Sequence, residues 1–218
     1  MEFDYHLRHP FVMTCAGPTQ AGKSTLIHQL IRRKDEVILP KIEKVIYCYN
    51  EDEPPFAEEL RGELGGDVIR FQKGMMVDVD EGNTIPILVI LDDFMAEAAE
   101  SKEVCAMATR GSSHRSMSVI ITLQNFFFKN CRTLTLNSKY IVLFRNPMDM
   151  SVIRFLSRQM GGGKEHPILA AAYDDATKNK SNSYLFLDMS QQQNDDFRIR
   201  SNLFPDPSCI VYVIQKSY

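Results

Sequence analysis

Eight consecutive residues, Gly17-Pro18-Thr19-Gln20-Ala21-Gly22-Lys23-Ser24, have the types and spacing needed to hold a chain of phosphates. The glycines permit backbone angles that turn amide N–H groups inward as an anion nest. A helix opening at Ser24 would add the partial positive charge of its N-terminus. Lys23 would then reach the β- and γ-phosphates, and the Ser24 hydroxyl would ligate magnesium. Thr25 continues the same cradle, so residues 17–25 form the expected nucleotide-binding set. The motif carries this meaning only between a strand and a helix. Phe11–Cys15 reads as that strand, and Ser24–Arg33 as that helix, with an apolar stripe at Leu26, Ile27, Leu30 and Ile31.

A second constellation follows the apolar run Ile85–Leu91, which ends in Asp92-Asp93. Carboxylates at the end of a buried strand are costly unless something compensates them. Magnesium held by Asp92, with Asp93 accepting a proton from an attacking water, would do so. Asp93 capping a helix from Phe94 is the plainer reading, and the two are compatible. A third buried strand, Ser118–Leu123, ends in the amides Gln124 and Asn125. Either amide could orient the water, or could cap a following helix; Gln124 is preferred. The polar loop Thr109–Ser116 supplies Arg115 and Arg110 as candidates, in that order, for a finger reaching a neighbouring subunit's nucleotide. Arg145 is a third. An arginine supplied across an interface can raise the rate by about 10³–10⁵.

The elements that must position these groups form an alternating pattern of apolar runs and amphipathic stretches, expected of an α/β protein with a mostly parallel sheet and helices on both faces. Further strands are expected at Lys44–Tyr49, Asp67–Phe71, Tyr140–Phe144, Tyr184–Asp188 and Cys209–Ile214. Helices are expected from Phe94 to about Arg110, over Ser151–Met160 with a stop at Gly161-Gly162-Gly163, and over Glu165–Thr177. Nothing marks a linker or a repeat. The 218 residues read as one domain, with a core of about 10–188 and a C-terminal strand extension of about 189–218.

Bulk properties narrow the classes. A net charge of −3 excludes a polycation that coats nucleic acid along its whole surface. Five scattered cysteines without a C-x-x-C pair read as reduced thiols rather than a disulfide or zinc framework. No secretion signal is evident, and no apolar run approaches the roughly 18 residues of a membrane span, so a soluble protein is expected.

The order of these pieces resembles the genome-packaging ATPases of the FtsK–HerA superfamily, most nearly those of poxviruses, virophages and the Maverick/Polinton and adintovirus elements. The segments that carry the likeness are Arg110–Phe127, Leu136–Pro147, Leu156–Gln159, Asp174–Thr177, Ser183–Asp188 and Arg198–Pro205. Together they extend it from Pro10 to about Val213. The resemblance implies a P-loop NTPase of the additional-strand (RecA-like) type, in which a strand lies between the P-loop strand and the acidic strand. It implies an oligomeric ring, a hexamer or pentamer, that threads double-stranded DNA into a capsid or portal vertex using ATP and Mg²⁺. Lys23, Ser24, Asp92, Asp93 and Gln124 would take the roles given above. It also implies residence in host cytoplasm or nucleus, or association with the virion. Two departures stand out: Thr19-Gln20-Ala21 replaces the small residues common in relatives, and Asp93 stands where many carry Glu. A cellular translocase of the same superfamily, and a P-loop kinase or nucleotide switch, are the competing readings. Lys129, Arg132, Lys178 and Lys180 are basic, but the sequence does not single out a DNA-contacting loop.

Overall fold

The computed structural model describes residues 4–75, 77–80, 82–94, 116–124, 126, 131–178, 181–206 and 208–214, with side chains 131–133 excepted. Its frame is an eight-stranded sheet built from β2 (Val12–Ala16), β4 (Lys44–Tyr49), β5 (Ile69–Lys73), β6 (Ile87–Asp92), β7 (Met117–Leu123), β8 (Tyr140–Phe144), β9 (Tyr184–Asp188) and β10 (Ile199–Arg200). The spatial order is β10-β9-β8-β2-β7-β6-β4-β5. All pairings from β8 to β5 are parallel, and β9 and β10 add antiparallel strands at one edge. The strand inserted between β2 and β6 is β7, as the additional-strand type requires. A separate two-stranded piece joins β1 (Leu7–Arg8) to β3 (Ile38–Leu39).

The central strands are apolar on both sides because both faces are covered. Val89, Leu91, Val119 and Ile121 belong to one core, which also buries Ile153 and Leu156 of α5 (Ser151–Met160) and Leu169 and Ala172 of α6 (Leu169–Thr177). Met13, Cys15, Leu88 and Ile90 belong to the other, with the α1 stripe. Helix α1 spans Lys23–Arg32, and Leu26, Ile27, Leu30 and Ile31 are all buried, each contributing roughly 1.5–3 kcal/mol relative to exposure. The same core takes in Val37 of α2 (Lys34–Val37) and Leu60 of α3 (Ala57–Leu64). Helix α4 (Cys131–Asn137) precedes β8. Cys15 and Cys48 are buried free thiols. Among the described residues no helix is long and apolar enough to cross a membrane.

Several expected boundaries coincide with the observed ones, including those of β4, β8, α5 and β9. Helix α5 stops at the glycine run, where Gly161 N–H donates to Ser157 O at 2.9 Å. Other expectations change. Strand β5 is Ile69–Lys73 rather than Asp67–Phe71, helix α6 begins at Leu169 rather than Glu165, four residues later, and Cys209–Ile214 forms no strand. That last segment makes a single bridge, Val211 to Arg200, because β10 is only two residues long and offers no further ladder. Ile210, Val213 and Ile214 remain exposed. Of the helix expected from Phe94 to about Arg110, only Phe94 is among the described residues, where it is buried; 95–110 lie outside them.

The antiparallel edge is held by a buried charge pair. Arg200 and Asp188 are 1% and 2% exposed, with 3.6 Å between Nη2 and Oδ2. Burial pulls the Arg200 pKa down, and Asp188 opposes that shift. The guanidinium lies 4.4 Å over the Phe186 ring, and Asp188 also accepts from Ser190 and Gln193. Removing one partner strands the other in the core. We expect Asp188→Ala to lower stability by about 3–5 kcal/mol in urea unfolding. A second change, Arg200→Leu, should restore much of that loss.

Candidate active site

Parallel strands bring their carboxyl ends to one rim of the sheet, and four of those ends matter here. Strand β2 runs straight into the glycine-framed loop. Gly17 N–H donates to Leu123 O at 3.0 Å, tying the start of the loop to the end of β7. A side chain at Gly17 would begin 2.5 Å from Phe144 Cβ, so the close approach of β8 admits only glycine. Gly22, at φ 106°, is the left-handed residue that caps α1. Lys23 Nζ donates to the Gly17 and Pro18 carbonyls at 2.7 and 2.9 Å, so the ammonium lies across the mouth of the loop. Burial pulls its pKa down, and the nearby carboxylates of Asp93 and Asp92 act in the opposite sense.

The acidic pair sits at the end of β6, across the additional strand. Both oxygens of Asp92 are engaged: Tyr47 Oη donates to Oδ2 and Thr122 Oγ1 to Oδ1, each at 2.6 Å. Thr122 Oγ1 in turn accepts from Asp93 N–H at 3.0 Å. Asp93 has a left-handed backbone, φ 60°, which an aspartate tolerates better than most residues. Its Oδ1 accepts from Gln124 Nε2 at 2.7 Å. The chain turn at Asp93 and the end of β7 thus bring carboxylate and amide into contact.

These groups line one open cleft of about 270 Å³. Thr19, Gln20, Gly22, Lys23, Ser24 and Thr25 form the loop side, and Asp92, Asp93 and Gln124 form the other. Asn182, from the turn before β9, completes it. Gly17, Pro18 and Ala21 shape the loop without lining the cleft. The donor set fits magnesium: a hydroxyl (Ser24) and a carboxylate (Asp92) are hard oxygen ligands, and this ion is usually held by one or two protein oxygens with phosphates and water. Among the described residues no group of three His, Cys, Asp or Glu side chains could form a dedicated metal cage.

Asn125, Arg110 and Arg115 lie outside the described residues, as does the helix that Asp93 was expected to cap. Arg145 is exposed just beyond β8, on the same rim. Sequence reasoning missed Tyr47, Thr122 and Asn182. Tyr47 was detectable in principle, as a phenol within an apolar strand, since a buried hydroxyl needs a partner. Its phenol pKa is driven up by burial and by Asp92. Because Tyr47 orients the Asp92 carboxylate, the expected magnesium ligand, we expect Tyr47→Phe to raise the magnesium concentration for half-maximal ATP turnover by about 10–100-fold. A magnesium titration of turnover reads this out.

The fold is that of the P-loop NTPases of the additional-strand type, with the cleft at the carboxyl ends of its parallel strands. No family model and no curated protein matches the chain. Among solved structures, the genome packaging NTPase B204 from Sulfolobus turreted icosahedral virus 2, in complex with ATP-gammaS, is similar with a TM-score of 0.51 and 16% identity. That match covers 84% of this chain and 94% of B204. The EccC ATPases 2 and 3 of Thermomonospora curvata, in complex with a signal sequence peptide, align over 95% of this chain and 37% of theirs, with 9% identity and a TM-score of 0.48. The second likeness is too distant to carry weight. The first establishes a shared fold with a packaging NTPase, the kind of protein the sequence resembles.

Proposed function

We propose that this chain is an ATP-hydrolysing motor that translocates double-stranded DNA into a viral capsid, working as a homo-oligomeric ring. The observation that carries the reading is the meeting of Lys23, Asp92, Asp93 and Gln124 in one cleft, on a fold shared with a packaging NTPase. In this account the loop amides and Lys23 hold the β- and γ-phosphates of ATP. Ser24 and Asp92 hold magnesium, with Tyr47 and Thr122 fixing the carboxylate. Magnesium, when bound, neutralises charge on the phosphoryl oxygens. Asp93 accepts the proton of the attacking water, and Gln124, bonded to Asp93, orients that water and reports the γ-phosphate.

Arg115 or Arg110 from a neighbouring subunit completes the charge balance, which makes turnover depend on assembly. Strands β9 and β10 continue the same sheet as the P-loop strand, which supports reading residues 1–218 as one ATPase unit. A motor of this kind displaces a third strand from linear duplex DNA as it advances. We expect triplex displacement that requires ATP and magnesium. Duplex binding with ATP turnover and no displacement would argue against translocation.

A further inference from the structure

One lining residue of the cleft has no part in the account so far. Asn182 lies two residues before β9, more than 150 positions from the phosphate-binding loop in sequence. It nonetheless touches that loop at its last glycine. A side chain begun at Gly22 would meet Asn182 Cβ and Oδ1, each at 2.7 Å, and Asn182 Cα at 2.9 Å. Gly22 therefore gives its side-chain space to Asn182, which lines the same cleft as Lys23, Ser24 and Thr25.

The strand order says which part of a nucleotide that wall meets. Strands β7 and β6 flank one side of β2 and carry Gln124, Asp92 and Asp93, the metal and γ-phosphate side. Strands β8 and β9 flank the other side. A triphosphate whose terminal phosphate faces the acidic pair leaves its remaining end on the opposite flank, toward the β8 and β9 side where Asn182 lies. A carboxamide there offers two donors and an acceptor to phosphate and ribose oxygens, without the charge that would repel them.

We infer that Asn182 is a nucleotide-positioning residue that holds the α-phosphate and ribose end of the bound nucleotide. The inference rests on the nucleotide-binding reading proposed above. Asn182 also has a left-handed backbone, φ 60°, which asparagine accepts readily. Glycine accepts that conformation too, so Asn182→Gly removes the amide while keeping the turn.

The test is calorimetric titration of the full chain, wild type and Asn182→Gly, with ADP and with ATP-gammaS, alongside melting of the free proteins. A lost hydrogen bond to a charged oxygen predicts affinity about tenfold or more weaker for both nucleotides alike. The melting temperature of the free protein should stay unchanged. Equal affinity in wild type and variant would overturn the inference, leaving Asn182 as a turn residue packed on Gly22. A loss confined to ATP-gammaS would place the amide at the γ end and overturn it too. Failure of the wild type to bind either nucleotide would instead refute the nucleotide-binding reading itself.

Discussion

Asp93→Asn is expected to lower the turnover of ATP by about 10²–10⁴-fold, the range spanned by a single positioned general base. The change is nearly isosteric, so the turn at φ 60° and the Thr122 contact to the Asp93 N–H should persist. What disappears is the negative acceptor. Asp93 Oδ1 already accepts from Gln124 Nε2, and an asparagine can still meet that amide by presenting its carbonyl oxygen. The variant cannot take a proton from water. Nucleotide affinity should therefore remain near the wild-type value while the chemical step collapses, a separation that single-turnover kinetics and direct binding can measure. Loss of affinity equal to the loss of turnover would mean that Asp93 binds rather than activates. Asp93→Glu, which keeps the carboxylate on a side chain one methylene longer, is expected to stay active if that carboxylate can still meet Gln124.

The second large effect belongs to Lys23. Lys23→Ala should weaken ATP binding by about 10²–10³-fold, corresponding to roughly 3–4 kcal/mol for loss of a charged donor in a half-buried site. The ammonium is held by two carbonyls of its own loop at 2.7 and 2.9 Å, so it is already placed at the mouth of the nest. That preorganisation spares the entropic cost of ordering a long side chain when the phosphates arrive. Asp92 and Asp93 favour the cationic form against the burial that opposes it. Lys23→Met keeps the apolar stem and removes the charge, so an equal loss in both variants would assign the effect to the ammonium. Nucleotide-analogue binding by fluorescence or calorimetry provides the comparison.

The loop-strand-helix context of Lys23 was legible because each part leaves a local signal: glycine spacing, an apolar run, and a four-residue stripe. The same holds for the strands that lead into Asp93 and Gln124, whose mostly apolar runs reflect burial on both faces. Less was legible where the signal is short or non-local. Two-residue strands such as β1, β3 and β10 carry no periodicity. In β10 one of the two residues is Arg200, which only the buried partner Asp188 makes compatible with a core position. The apolar Cys209–Ile214 run looks like a strand by composition, yet a strand needs a neighbour long enough to pair with. Tyr47 reads as an ordinary core aromatic, and it is fully buried; its bond to Asp92 exists only because β4 lies beside β6. Asn182 reads as a polar turn residue, and only the arrival of β9 at the same rim brings it to Gly22.

The most direct test of the account is steady-state ATP hydrolysis by the purified chain, with and without linear double-stranded DNA, with Lys23→Ala as the reference for background. A DNA-translocating motor predicts turnover that rises on adding duplex, falls as salt screens the phosphate contacts, and vanishes in the variant. Turnover that is abolished by Lys23→Ala but indifferent to duplex DNA would contradict the motor, and leave a P-loop NTPase acting on something else.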